Sequence, residues 1–422
     1  MRFGTAGIRG RYWELTPKEA YEIALKIGSQ MGKKIALAMD GRNNSQALKD
    51  SIRSALLYLG KEVYDIGLAP TPTLQLYITQ QGMDGGFMVT ASHNPPEWNG
   101  IKVIDHRGVV LPKERANPML EHTPSEFRPH NVFHSLDYTH RHAFHLLEHL
   151  GMELDKSLAV DYGNGVGVKV FSHVLPHIAQ DYLEINDRID GNFPGRNSEP
   201  VPANLTKLQS LLNHYDIGIA FDGDADRAVL MTKKHFIDGD LSLALAASLL
   251  DSPKVVMTVA TSKVVEDIVG KENVIYTKVG VPYIAEAVLE HNATLGGEES
   301  GGLIYPKVNV GKDGLATALL LLKLTKGDLD SYVERLPRYV RIKEKIAVPG
   351  DKKHEIVERL KQTLPQHFSG DVITLDGIRI NMKDSWFIIR PSGTEDYIRI
   401  FVEARTKEKA QQLMEELKEL VF

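Results

Sequence analysis

The chain has 422 residues, 42% hydrophobic and 25% charged, with a net charge of -5 and no cysteine, a globular composition that at roughly 150 residues per domain predicts about three domains. Without cysteine there are no disulfides or thiolate metal sites, and weak acidity without a long basic run excludes nucleic acid and a membrane surface as expected partners. Arginines and lysines in a cleft still suit an anionic small molecule, since screening confines a charge to about 8 Å, and with no apolar run at Met1-Arg2-Phe3-Gly4-Thr5 and no apolar stretch long enough to span a bilayer, a cytoplasmic protein is expected.

The segment Phe3-Gly4-Thr5-Ala6-Gly7-Ile8-Arg9-Gly10 spaces glycines around one arginine, which lets backbone and a cation approach a ligand. A helix is predicted from Pro17 to Met31, with Thr16 as N-cap and Pro17 in the first turn. Ile35 to Met39 reads as a buried strand ending at Asp40-Gly41-Arg42-Asn43, Ala47 to Leu59 as a helix, and Val63 to Gly67 and Gly86 to Val89 as further strands. Such alternation implies a mainly parallel sheet with a ligand site at its strand C-termini. Ser92 stands at such an end, in Thr90-Ala91-Ser92-His93-Asn94-Pro95-Pro96, where the prolines forbid both helix and continued ladder. With His93 adjacent and Lys102 downstream, the hydroxyl suits a nucleophile or phosphate carrier. An ST-turn ahead of two prolines accounts for the same residues.

From Pro112 to Leu150 the pattern weakens, and seven of the sixteen histidines (His122, His130, His134, His140, His142, His145, His149) crowd in. Their spacing does not put three ligands on one helical face, and Glu148 is the one carboxylate that joins them, so a helix over 137–150 between domains is expected instead of a metal site. A second α/β unit opens at Leu158 to Asp161, where Gly163, Gly165 and Gly167 alternate and so do not form a dinucleotide fingerprint. It closes with the strands Ile217–Phe221 and Ala228–Met231 around Asp222-Gly223-Asp224-Ala225-Asp226-Arg227. Three carboxylates in one tight turn repel, two of them by about 4 kcal/mol at ~4 Å and an effective dielectric of 20, and so need a cation or a proton. Oxygen ligands select Mg2+ or Ca2+. The glycine and position twelve do not fit an EF-hand, and Arg227 alongside favours Mg2+ facing a phosphate.

With Gly297-Glu298-Glu299-Ser300-Gly301-Gly302 and Arg390-Pro391-Ser392-Gly393-Thr394-Glu395, these motifs stand in the order of the α-D-phosphohexomutase family, which the whole chain resembles, archaeal members most of all. The resemblance implies three related mixed α/β domains plus a C-terminal α+β domain around a central cleft, one domain more than length alone predicts. The boundaries expected are 1–136 with the phosphoserine loop, 137–233 with the metal loop, 234–336 with the sugar loop and 337–422 with a phosphate loop. In the last, strands are expected at 339–346, 372–375, 386–390 and 397–404, with helices near 352–363 and 407–420.

The resemblance further implies that Ser92 carries the phosphoryl group and that Asp222, Asp224 and Asp226 hold Mg2+ with a phosphate oxygen on Ser92. Arg9 and Arg227 would add cations, Lys102 would hold or deprotonate the reacting oxygen, and Glu298 and Ser300 would read sugar hydroxyls. Arg390, Ser392, Gly393 and Thr394 would grip the non-reacting phosphate, with Lys278 and Gly280 as a further substrate loop. Many relatives have histidine where Gly302 stands, and some a lysine near Ala260, which leaves the general base open among Lys102, His93 and Arg9. The implied activity is interconversion of hexose 6- and 1-phosphates, glucose or mannose, with hexose 1,6-bisphosphate as intermediate and a phosphosugar as partner. Phosphoglucosamine mutase is the nearest alternative, and a phosphosugar-binding protein without turnover the alternative of another class.

Overall fold

Four sheets, one for each successive part of the chain, organise the computed structural model, which describes residues 2–124, 127–130, 132–349, 352–392 and 396–421. The first has the spatial order Ile8–Arg11, Trp98–Asp105, Gly85–Val89, Lys34–Met39, Glu62–Leu68, Phe133–Ser135. From Gly85–Val89 onward the neighbours are parallel, and Trp98–Asp105 runs antiparallel to both of its own. Side chains on both faces of this sheet are buried in separate clusters, as a parallel sheet between helices requires. The helix Pro17–Gly28 has the expected start, with the Thr16 N–H donating to Glu19 Oε2 at 3.2 Å. It stops short of Met31 because the Ser29 hydroxyl and the Gln30 amide both donate to Lys26 O, at 2.8 and 2.9 Å, satisfying the last turn.

The second sheet runs Phe236–Ile237, Ala228–Met231, Ile217–Phe221, Leu158–Asp161, Tyr182–Ile185, and the third Val274–Thr277, Val255–Thr258, Leu295–Gly297, Leu303–Tyr305, Asn309–Asp313. The helix Gly314–Thr325, apolar on nearly every side, packs against the strand Ala228–Met231 and the helices Thr139–Leu150 and Gly239–Leu249. One continuous core therefore extends from Ala143 through Leu230 and Leu319 to Leu336 and joins the second and third sheets.

The fourth sheet is wholly antiparallel, ordered Val340–Ala347, Tyr397–Ala404, Ser385–Pro391, Ile378–Asn381, Asp371–Ile373, with the helices Lys352–His367 and Lys407–Val421 packed on it. The first of these runs past the expected end at Thr363 and through Pro365, because Leu364 and Phe368 are drawn into the core. Trp386, Ile388 and Phe401 pack on Val259 and Ala260, fastening this unit to the third. Among the described residues no helix is long and apolar enough to cross a membrane.

Candidate active site

Ser92 follows the C-terminal end of the strand Gly85–Val89, with its backbone in the left-handed region at φ 54°. For a residue with a Cβ that costs on the order of 1–3 kcal/mol, so the surroundings must hold it there. They do so through Arg42, whose guanidinium donates to the carbonyls of Ser92, Asn94, Pro95 and Trp98 at 2.8 to 2.9 Å. Arg42 is fixed in turn by Asp40 at 3.1 Å, which also accepts from Thr90 Oγ1 at 2.7 Å, and Thr90 Oγ1 accepts from Ser92 N at 2.8 Å. The hydroxyl of Ser92 donates to Asp222 Oδ2 at 2.6 Å and lies 3.3 Å from His93 Nδ1. The first and second sheets' loops thus meet at the Ser92 hydroxyl.

The turn after the strand Ile217–Phe221 buries Asp222, Asp224 and Asp226 with one oxygen of each within 4.8 Å of the others. Lys102 Nζ bonds Asp224 Oδ2 at 2.6 Å and Asp226 Oδ2 at 2.7 Å, and Thr71 Oγ1 adds a bond to Asp224 Oδ2 at 2.5 Å. Arg227 Nε stands 3.9 Å from both Asp222 and Asp226, and Arg9 bonds Asn94 at 2.9 Å. Burial, then Asp224 and Asp226, push Asp222 up to about 7. Burial would also raise Asp226, but Lys102, Lys312 and Arg227 outweigh it and hold that carboxyl below its usual range. Asp224 Oδ1 and Asp226 Oδ1 are buried without a hydrogen-bond partner. Orphaned carboxylate oxygens beside a carboxyl that retains its proton near neutrality are the mark of a hard-cation site, and an all-oxygen donor set fits Mg2+.

These surroundings bear unequally on the three candidate bases. Burial lowers the Lys102 ammonium, but Asp224 and Asp226 reverse this and hold it above the usual lysine range, so Lys102 is suited to compensating charge and not to accepting a proton. Arg9 carries a guanidinium, which stays protonated in proteins. His93 is pushed far below its ordinary range by burial, Arg227 and Arg9, and is neutral, with a ring nitrogen near Ser92 Oγ.

On the third sheet, Ser300 Oγ donates to Glu298 Oε1 at 2.6 Å, so the two residues expected to read sugar are joined. Lys278, Arg390 and Ser392 line one cavity of about 300 Å3 with Thr5, Tyr283 and Asp376. Arg390 has Asp376 at 3.7 Å and faces Arg399 across the strand pair, two like charges that an anion would relieve. Gly280, at φ 137°, begins the helix Val281–Glu290, and a Cβ there would strike Thr5. Gly393 and Thr394 lie outside the described residues.

Sequence reasoning missed Arg42, Thr71 and Lys312. Only Arg42 had a signal, since Asp40-Gly41-Arg42 ends the strand beside that of Ser92. Lys312 Nζ donates to Ser300 Oγ at 2.8 Å and Glu298 Oε1 at 3.2 Å. The histidine-rich segment forms the helix Thr139–Leu150, in which His142 is buried against Thr73 at 2.8 Å and Asp313 at 3.3 Å. His145, Glu148 and His149 do cluster, contrary to the spacing argument, but His145 Nε2 bonds Val308 O at 2.8 Å and His149 Nδ1 bonds His145 O at 2.9 Å.

Four domain families match successive parts of the chain: phosphoglucomutase/phosphomannomutase alpha/beta/alpha domain I at residues 1–127, domain II at 143–235, domain III at 238–339, and the C-terminal domain at 340–420. A protein of Thermococcus kodakarensis named phosphoglucomutase/phosphomannomutase is 35% identical over 98% of this chain and 96% of its own length. One of Methanopyrus kandleri, named "Probable phosphoglucosamine mutase", is 35% identical over 99% and 97%. The crystal structure of a phosphoglucomutase/phosphomannomutase family protein from Burkholderia thailandensis superposes with a TM-score of 0.89 at 25% identity, covering 99% of this chain and 96% of that one.

Proposed function

The chain belongs to the phosphoglucomutase/phosphomannomutase family, and on that premise we propose that it interconverts hexose 6- and 1-phosphates, glucose or mannose, in the cytoplasm. Ser92 carries the phosphoryl group and a hexose 1,6-bisphosphate is the intermediate. The observation that carries this reading is the 2.6 Å bond from Ser92 to Asp222, which seats the hydroxyl on a turn whose other carboxylates have unpartnered buried oxygens.

Mg2+ held by Asp222, Asp224 and Asp226 would neutralise charge on the transferring phosphoryl group, which is most of what such chemistry requires. Arg9 and Arg227 bring fixed cations to the same place. Lys102 aims Asp224 and Asp226 through bonds of 2.6 and 2.7 Å. His93 is neutral, with Nδ1 3.3 Å from Ser92 Oγ against 2.6 Å for Asp222 Oδ2, and the burial and the two arginines that keep it neutral also weaken it as a proton acceptor, so its part is to orient the hydroxyl. Glu298 and Ser300 hold the sugar, and Arg390, Ser392 and Lys278 hold the phosphate that does not react. Since the two phosphates of the bisphosphate are chemically alike, the sugar can present either to Ser92, which moves the phosphate between O6 and O1. Phosphoglucosamine mutase is the second reading, favoured by the equally similar Methanopyrus relative of that name. Turnover of glucose, mannose and glucosamine 1-phosphates, compared side by side, decides between the two. No turnover of any of them, with phosphosugar still bound, overturns both in favour of a binding protein.

A further inference from the structure

Lys312 lies on the strand Asn309–Asp313 and is only 3% exposed, so its ammonium is committed to the interior. Its stem passes through the space that a side chain at position 302 would need: a Cβ built on Gly302 would stand 2.8 Å from Lys312 Cε and 3.0 Å from its Cγ. The ammonium ends on the sugar loop, donating to Ser300 Oγ at 2.8 Å and to Glu298 Oε1 at 3.2 Å, while Ser300 Oγ donates its one proton to Glu298 Oε1 at 2.6 Å. The donor and acceptor inventory of these groups is then nearly used up. A hydroxyl has one proton and two lone pairs, an ammonium has three protons, two of them spent here on Ser300 and Glu298, and no lone pair, and an ionised carboxylate has no proton. Burial pushes Glu298 toward the neutral acid, but Lys312, Ser300 and Arg227 outweigh it and hold the carboxyl below its usual range, so it is ionised. What the pair still offers a ligand is Glu298 Oε2 and the second lone pair of Ser300. Both are acceptors.

We infer that Lys312 is a positioning residue for substrate selection: by taking one lone pair of Ser300 and fixing Glu298, it makes the loop an acceptor-only reader that requires donating hydroxyl or amino groups on the sugar. The inference rests on the reading of Glu298 and Ser300 as facing the sugar. Without the ammonium, Ser300 regains freedom to rotate and Glu298 loses its nearest cation, so the loop can no longer impose one hydrogen-bond polarity.

The test uses the full-length enzyme with glucose 1-phosphates in which the hydroxyl at C2, C3 or C4 is replaced, one at a time, by hydrogen or by fluorine. In the wild type, at least one deoxy substrate loses tenfold or more in kcat/KM, and the matching fluoro substrate is no better, because fluorine brings lone pairs to a loop that offers only lone pairs. In Lys312→Met, kcat/KM for glucose 1-phosphate falls tenfold or more, and the penalty for the deoxy substrate shrinks to within about threefold. Lys312→Arg restores most of the penalty. A merely structural lysine would lower all substrates by one factor and leave their ratio intact, so an unchanged ratio in Lys312→Met overturns the inference. So does a fluoro substrate that recovers the deoxy loss, or a wild type that shows no deoxy penalty. Should Lys312→Met fail to fold by circular dichroism, the fluoro series on wild type and the Lys312→Arg ratio still decide. Failure of the underlying functional reading looks different, since the wild type would then turn over none of the hexose 1-phosphates.

Discussion

Ser92 stands in a loop whose carbonyls take four hydrogen bonds from Arg42 and another from Ser198, whereas Arg390 reaches its cavity with Asp376 at 3.7 Å and a buried Nε that bonds nothing among the described residues. In the proposed function the two regions bind the same chemical group, a phosphate, yet one is fully braced and the other under-satisfied. Bond making requires donors and cations that are fixed before reaction, since reorganising them later would add to the barrier. A group that only holds, and must let go so that the sugar can turn round, is better completed by its ligand. The contrast supports the proposed division, with transfer at the braced region and the substrate held at the under-satisfied one.

The contrast is sharpest for Ser92→Ala, which should abolish turnover by several orders of magnitude while leaving sugar phosphate binding within a few-fold, because the hydroxyl acts only in transfer. Intact mass spectrometry after incubation with glucose 1,6-bisphosphate should find one added phosphate on the wild type and none on the variant; a wild type that stays unmodified removes Ser92 from the reaction. Asp224→Asn comes next, at roughly a hundredfold in activity with partial recovery in excess Mg2+, since it removes a charge from the proposed ligand set and leaves Lys102 with one carboxylate. Undiminished wild-type activity in EDTA would refute the metal assignment.

At the holding end, Arg390→Ala should lower kcat/KM roughly tenfold to a hundredfold, the worth of a charge-assisted pair at about 1.5–3 kcal/mol. The loss should vanish when Ser92 is phosphorylated by a donor with a single phosphate. If both donors suffer alike, Arg390 supports its own sheet and the comparison between the two ends breaks. The smallest effect concerns protons. Asp222, ordinarily near 3.8 but pushed up to about 7, keeps its proton in the metal-free fold. Mg2+ must displace that proton, so affinity should be full above about pH 7 and weaken by up to tenfold per unit below it, with proton release on binding seen by calorimetry in two buffers. By the same linkage the metal-free fold should lose stability as pH rises from about 3.8 to 7, because the unfolded chain gives up this proton first.

What the sequence disclosed follows the same division. Repulsion among Asp222, Asp224 and Asp226 is a local property, readable from three letters, and so are the prolines that stiffen the Ser92 loop. Amphipathic helices such as Pro17–Gly28 announce themselves by one buried stripe. The helices Thr71–Gln81 and Gly314–Thr325 do not, because they are buried on nearly all sides and carry no stripe. Lys312 was illegible for another reason: it reaches Glu298 and Ser300 only because two strands of the third sheet bring them side by side, and no motif surrounds it. The clustering of His145, Glu148 and His149 likewise depends on rotamers, which spacing does not give.

The helix Gly314–Thr325, with its leucines shared between the second and third sheets, bears on how the chain unfolds. Two units that share one core cannot lose structure separately, since opening either would expose apolar surface of both. Although four domain families tile the chain, cooperativity should follow the cores: the second and third units melt in a single transition. Hydrogen exchange should find their amides opening together. The first unit and the last have main cores of their own and share only small clusters with the third, around Val109 and around Trp386, so they should open earlier.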